Sequence, residues 1–391
     1  GHPLFGDGPL MERPAEELAR ALQLKPESTT EGLLSWRLYA AFHRQGGEAG
    51  GYRLFGAMPY SVALYATPEG RVGSLSAVFA NKGDFGSKAG FGSEHFGAEG
   101  ASPEELDEAM TRDFEAISAS LSSAVGEPVK QRFGEGKARR TVWRWDVGET
   151  AILLAREDGE FVGLTLVPRA LAERGGKTEK IADGSIKERL GKAVERRENG
   201  DVLITGIPMV NQGPKGYCVP ATFERAMRFM GGAADMYLLA MVGETKSGGG
   251  TSPELLIDEV KSQVYRKGRR TREDDPDKLS VTKLRRHLDA GVPVMWLMYS
   301  LDEYNHIANQ NTKERDEVED WEAWAGEVQQ QGKSFGRRDP EPGNHHICMI
   351  IGYNSETEEL AVSDSWGARY ELRWVPLAVA NWAVSYTHLT L

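Results

Sequence analysis

The stretch NQGPKGYCVPATFERAMRFMGG, Asn211 to Gly232, holds one of the chain's two cysteines. That cysteine follows a Gln-Gly-Pro-Lys-Gly loop and stands where a helix should begin. Pro220 suits the first helical turn, where its missing N–H costs nothing. Phe223, Met227 and Met230 then recur at helical spacing with Ala226 on the same face, and Gly231-Gly232 is a stop signal. Cys218 is therefore expected at or beside the N-cap, where unpaired N–H groups and the positive end of the helix dipole favour an anion. A helix start lowers a thiol's pKa and favours the nucleophilic thiolate. Alone, the stretch fits better a small buried cysteine that only packs.

The wider composition narrows the function classes. The chain of 391 residues is long enough for two domains or three. With 40% hydrophobic and 27% charged residues it has an ordinary globular composition. Its 47 Lys and Arg against 58 Asp and Glu, net −11, argue against nucleic acid or an anionic membrane as partner. No apolar run approaches the length of a membrane span. No signal peptide is visible, but the chain opens on Gly1-His2 instead of Met and reads as trimmed; an extracytoplasmic location is favoured over a cytoplasmic one. Cys218 and Cys348 cannot build a multi-bridge framework, and if one thiol is catalytic there is no structural disulfide left to make. At the far end, SYTHLTL (385–391) follows abruptly on LAVANWAV. It resembles adaptor-derived sequence and is assigned no role.

The chain divides near its middle. Residues 1–170 are expected to form a separate N-terminal α+β domain of unknown task. A short amphipathic helix over 11–24 leads into strand-like sequence from about 33 to 81 with a Pro-Glu-Gly turn. Gly83 to Gly100 lacks phosphate-loop spacing and reads as a mobile loop. Ser102-Pro-Glu-Glu105 is a capping box opening a helix to about Val125, and ARRTVWRWDV, TAILLARED and EFVGLTLVP follow as strands. Residues 171–200 read as a charged helical linker, and 201–384 as the second domain. There Thr251-Ser-Pro-Glu254 reads as another capping box, and VTKLRRHLDAG as a helix ended by Gly291. VPVMWLMYS, HHICMIIGYN, ELAVSDSW and RYELRWV are strand candidates. Helices first and strands after imply an α+β domain with segregated layers. Between the first two strands, Leu301 to Gly343 is an insertion with Val318, Trp321, Ala325 and Val328 at helical spacing. It fits a helix packed on the domain or a lid over a cleft.

The chemistry is completed far downstream of Cys218. In GNHHICMIIGYN a histidine stands at the entrance of an apolar strand, and Asp364 follows in VSDSWG. Imidazole can deprotonate a thiol, and a carboxylate can fix the imidazole's tautomer. Gln212 and the Cys218 backbone N–H can donate to an oxyanion. His345 and His346 point to opposite faces of a strand, so only one can serve. Cys348 shares a face with His346 and reads as core. A His345/His346/Cys348 metal site is disfavoured, because adjacent strand positions splay the imidazoles and the spacing matches no usual zinc pattern. No metal or cofactor is expected.

The ordered set resembles the papain-like cysteine peptidases over about residues 200–382. QGPKGYC is similar to their Gln, five residues, then nucleophilic Cys at a helix start. HICMIIGY is similar to their His, five mostly apolar residues, Gly and Tyr or Val. DSWG is similar to their Asn-Ser-Trp-Gly with Asp for Asn. That Asp and the CVPA sequence are closer to the bacterial branch that includes bacteriocin-leader processing peptidases. The resemblance implies Cys218 as nucleophile, His346 as general base and acid, Asp364 as its orienting residue and Gln212 as an oxyanion donor. It also implies helices packed on an antiparallel sheet, a peptide or protein substrate, and Trp366 shielding the His–Asp bond. A silent peptide-binding papain fold, acyl transfer to an amine and hydrolysis of cell-wall cross-links remain alternatives; the oligomeric state is open.

Overall fold

A computed structural model describes residues 4, 8–39, 52–85, 102–178, 182–246, 250–266, 272–274, 278–335 and 344–390. The chain forms two compact units that interleave in sequence. The first is Gly1–Glu179 with Gln212–Pro220 and Ala233–Gln263; the second is Lys180–Asn211, Ala221–Gly232 and Val264–Leu391.

Among the described residues the first unit holds an eight-stranded antiparallel sheet. Its strands are β1 (Lys25–Ser28), β2 (Ser35–Tyr39), β3 (Ser61–Ala66), β4 (Val72–Asn81), β5 (Val129–Phe133), β6 (Arg140–Val147), β7 (Thr150–Glu157) and β8 (Phe161–Pro168). They lie in the order β1-β2-β3-β4-β8-β7-β6-β5. The Pro-Glu-Gly turn joins β3 to β4, with Gly70 at φ +80°, a conformation that favours glycine. The helix Pro103–Val125 opens on the expected box: Ser102 Oγ accepts from Glu105 N at 3.2 Å and Glu105 Oε2 from Ser102 N at 2.8 Å. It buries Leu106, Met110, Ile117 and Leu121 in a cluster with Leu75, Phe79, Ile152 and Leu164. β7 explains its own unbroken apolar run. Ile152 and Leu154 face that cluster, while Ala151, Leu153 and Ala155 face a second one with Phe133 and Val142.

Two local readings change. Gly83 lies in a short helix, Lys82–Phe85; residues 86–100 of the glycine-rich segment fall outside the described residues. At the helix Pro253–Arg266 the cap is Ser252, whose Oγ accepts from Leu255 N at 3.2 Å, because the Thr251 hydroxyl is taken by Thr245 at 2.5 Å.

The second unit is built on β9 (Val194–Arg196), β10 (Asp201–Ile204), β11 (Arg272–Asp274), β12 (Val294–Ser300), β13 (Asn344–Asn354), β14 (Glu359–Ser363), β15 (Arg373–Pro376) and β16 (Val384–Thr390). Among the described residues the order is β11-β16-β12-β13-β10-β9, with β14 beside β13 and β15 beside β14. The tail segment assigned no role from sequence thus lies largely in β16, which pairs with β12 and β11. The glycine of HICMIIGY is a close approach: a Cβ on Gly352 would run into the Val202 carbonyl oxygen of β10. Helices cover the sheet. The insertion contains two helices, Asp302–Arg315 and Trp321–Lys333, where one stripe was expected. Asp320 separates them, its carboxylate accepting from Glu322 N and Ala323 N at 3.0 Å as an N-cap. Trp324 and Val328 are buried, so this face packs; residues 336–343 lie outside the described residues.

Candidate active site

The helix Cys218–Phe229 starts at the cysteine, with Pro220 in its first turn. Its end is a Schellman arrangement: Gly232 N donates to Met227 O at 2.7 Å and Gly231 N to Arg228 O at 3.0 Å, Gly231 having φ +84°. The expected apolar stripe understates its burial. Thr222, Glu224 and Arg225 are buried as completely as Phe223.

β12 and β13 pair without a break from Ser300↔Asn344 to Val294↔Ile350, which fixes the side each histidine takes. His345 is exposed and meets the Tyr299 ring at 4.9 Å. His346 is buried, with Nε2 2.8 Å from Asp364 Oδ1. Cys348, two positions on, is buried on the same side and donates to Met298 Sδ at 3.9 Å. The Trp366 ring stacks on His346 with centroids 4.4 Å apart and planes 27° apart. It covers one face of the imidazole.

Asp364 has a second partner that the sequence reading missed. Arg373 on β15 donates from Nη2 at 2.6 Å and Nε at 3.0 Å to Asp364 Oδ2. Its Nη1 donates to Asn305 Oδ1 at 2.9 Å, on the first helix of the insertion. Burial pushes the Asp364 carboxyl up, but the Arg373 charge and the His346 bond outweigh it and hold the group below the usual carboxylate range. Two helix residues brace the same corner. Thr222 Oγ1 donates to Ile347 O at 3.3 Å and lies 3.2 Å from Ser365 Oγ. Arg225 donates from Nη2 to Ser363 Oγ at 2.6 Å and from Nε to Pro208 O at 2.9 Å. The residue after His346 and both neighbours of Asp364 are thus held from one helix.

His346 and Asp364 are brought together in the second unit; Gln212 and Cys218 belong to the 212–220 segment of the first. There Gln212 Nε2 donates to Lys215 O at 3.0 Å. Among the described residues no group of three or more His, Cys, Asp or Glu side chains is arranged to hold a metal ion, and no helix is long and apolar enough to cross a membrane. Of the missed residues, Arg373 carried one signal: a charge inside a strand candidate, close downstream of the carboxylate it pairs with.

Residues 204–389 match the model of the Peptidase_C39 like family. No curated protein matches the chain. The match identifies this segment, with its mixed helix and sheet, as one of the papain-like cysteine peptidase superfamily, of cysteine peptidase type in fold.

Proposed function

We propose that the chain is a thiol-dependent hydrolase of peptide or related amide bonds, with Cys218 as nucleophile, His346 as base and acid, and Asp364 as the residue that orients it. The Cys218 sulfur attacks the carbonyl carbon as its proton passes to His346. With Nε2 committed to Asp364, that proton goes to Nδ1. The C–N bond breaks, His346 returns the proton to the leaving amine, and water cleaves the thioester to acid and thiol. The Gln212 amide and the Cys218 N–H donate to the oxyanion at each tetrahedral stage. A peptide or protein substrate fits the peptidase family match.

The observation that carries the reading is Thr222. It stands one helical turn after Cys218, on the same helix face, and its hydroxyl binds beside both His346 and Asp364. That contact supports a common purpose for the helix start and the His–Asp pair. Iodoacetamide at neutral pH is the test. Cys218 is part-exposed and Cys348 buried, so Cys218 should be alkylated far faster, and Cys218→Ala should abolish both fast labelling and peptide turnover. Equal labelling of the two thiols in the native chain would sink the assignment.

A further inference from the structure

Lys215 stands between Gln212 and Cys218, and its side chain is 1% exposed. Its Nζ lies 3.1 Å from Asp84 Oδ1 and donates to Tyr237 Oη at 2.8 Å, while that hydroxyl donates to Asp84 Oδ2 at 3.2 Å. Asp84 is itself held by Asn81 Nδ2, at 2.9 Å from Oδ2. Nζ lies 4.7 Å from the Tyr39 ring centroid, 4.7 Å from Tyr237 and 5.2 Å from Tyr217. Burying an ammonium is costly, here offset by the charge-assisted bond to Asp84, the Tyr237 hydroxyl and the Tyr39 and Tyr217 rings. Burial pushes the Lys215 pKa down, and Asp84 opposes the shift. A loop that merely connects two elements has no need of such a site.

The main chain says what the anchor holds. The Lys215 carbonyl accepts from Gln212 Nε2 at 3.0 Å and from Tyr217 N at 2.8 Å. Gly213 has φ +71°, and a Cβ there would press on the Tyr39 ring at 3.1 Å. A Cβ on Gly83 would come 2.5 Å from Tyr217 Cζ. All of these contacts lie within the first unit.

We infer that Lys215 is a positioning residue: its caged ammonium fixes the carbonyl that orients the Gln212 amide for the oxyanion. The inference rests on the thiol-hydrolase reading. It also gives the N-terminal segment, which supplies Asp84 and Tyr39, a task in supporting the loop before the nucleophile.

Two reagents separate oxyanion support from general loss of order in the full chain. In acylation by p-nitrophenyl acetate, the Cys218 sulfur bonds the acetyl carbon, an oxyanion forms, and p-nitrophenolate leaves. Alkylation by iodoacetamide displaces iodide with no oxyanion. Removing one oxyanion donor outright costs ~100- to 1,000-fold, so misplacing it through Lys215→Met should slow Cys218 acylation about 10- to 100-fold. Alkylation should change by less than about threefold, since no donor is involved. Tyr237→Phe, which keeps the ring and deletes one hydroxyl, should show the same selectivity at about 3- to 10-fold. It decides the matter if Lys215→Met does not fold. Unchanged acylation, or an equal loss with both reagents, overturns the role of Lys215. A parent protein with no Cys218-dependent release of p-nitrophenolate overturns the hydrolase reading, and this inference with it.

Discussion

β7 and the β13–β15 corner are buried alike and filled with different materials. β7 is covered on both faces by apolar side chains: Ile152 and Leu154 on one, Leu153 and the small alanines on the other. Around β13–β15, His346, Asp364, Arg373, Arg225, Glu359 and Arg315 are all buried. Every one of these polar groups has a specific partner. Asp364 meets His346 and Arg373, and Arg315 meets Asp201 and Glu359. Apolar burial stabilises in proportion to area and tolerates exchange. Buried charge is a net stability risk unless geometry is good, and removing one partner strands the other. Adaptable packing thus covers β7, while demanding electrostatics gather at the β13–β15 corner, as they do at the buried Lys215–Asp84 pair of the first unit.

The comparison breaks most visibly at His346. His346→Ala should lower kcat by orders of magnitude, as losing the base of a nucleophile pair does. His345→Ala should cost far less, because that ring is exposed and meets the Tyr299 ring at a tilt of 50°. Steady-state kinetics on the two variants check this. If the effects are reversed, the proposed roles are wrong.

Arg373 comes next. Arg373→Met leaves Asp364 buried with only His346 for a partner, and breaking a buried pair this way costs ~3–5 kcal/mol. The pH dependence carries a sign. In the parent, Asp364 lies below its unfolded value, so its stabilisation is present above the ordinary carboxylate pKa and lost as pH falls through the lowered one. Without Arg373, burial is no longer outweighed and the folded value rises. The variant should be weakest relative to the parent near pH 7, and the gap should narrow on acidification. Urea midpoints from pH 7 to pH 4 measure it; a gap that widens as pH falls refutes the charge argument. Asp364→Asn keeps the shape but leaves the buried Arg373 guanidinium without its carboxylate, so it should also lose stability, while the molecules that fold should retain activity. Its basic limb of kcat/KM should move to lower pH, because a neutral amide holds the imidazolium less strongly.

How far the sequence spoke differs by residue. Cys218 at a helix start and the Ser102 box follow from local rules of capping and stop signals; strand alternation sets His345 and His346 on opposite faces, and only the family resemblance chose His346. Asp364 needed the motif as a whole. Arg373, Thr222, Arg225 and Lys215 were not read, because their meaning lies in partners far along the chain. Lys215 and Asp84 are 131 residues apart, and no periodicity links them. Ser252 was passed over for Thr251, since both can cap and only the hydroxyl pair with Thr245 decides between them. The interleaving of the two units has the same origin, being fixed by long-range packing and not by chain order.

Leu154→Ala tests the apolar side of the comparison. The residue is fully buried, and deleting such a side chain costs ~2–5 kcal/mol through lost transfer energy and the cavity left behind. Activity per folded molecule should be unchanged. A loss of kcat at full folding would show that packing in this sheet controls the chemistry as directly as the buried charges do.

The smallest effect is expected at Ser102. Its hydroxyl accepts from Glu105 N, and the Glu105 carboxylate answers by accepting from Ser102 N. Pro103 at the first helical position needs no N–H partner. Ser102→Ala removes one acceptor and leaves the Glu105 N–H to water, which reaches this exposed helix end. The cost should be about 1 kcal/mol. Ser102→Asp should restore most of it, because aspartate also caps and its charge suits the helix N-terminus. That restoration should weaken in high salt, where the dipole interaction is screened. Thermal midpoints of the three proteins at low and high salt decide it. If Ser102→Asp is no better than Ser102→Ala at either salt concentration, the box adds nothing, and the helix Pro103–Val125 is held by Leu106, Met110, Ile117 and Leu121 alone.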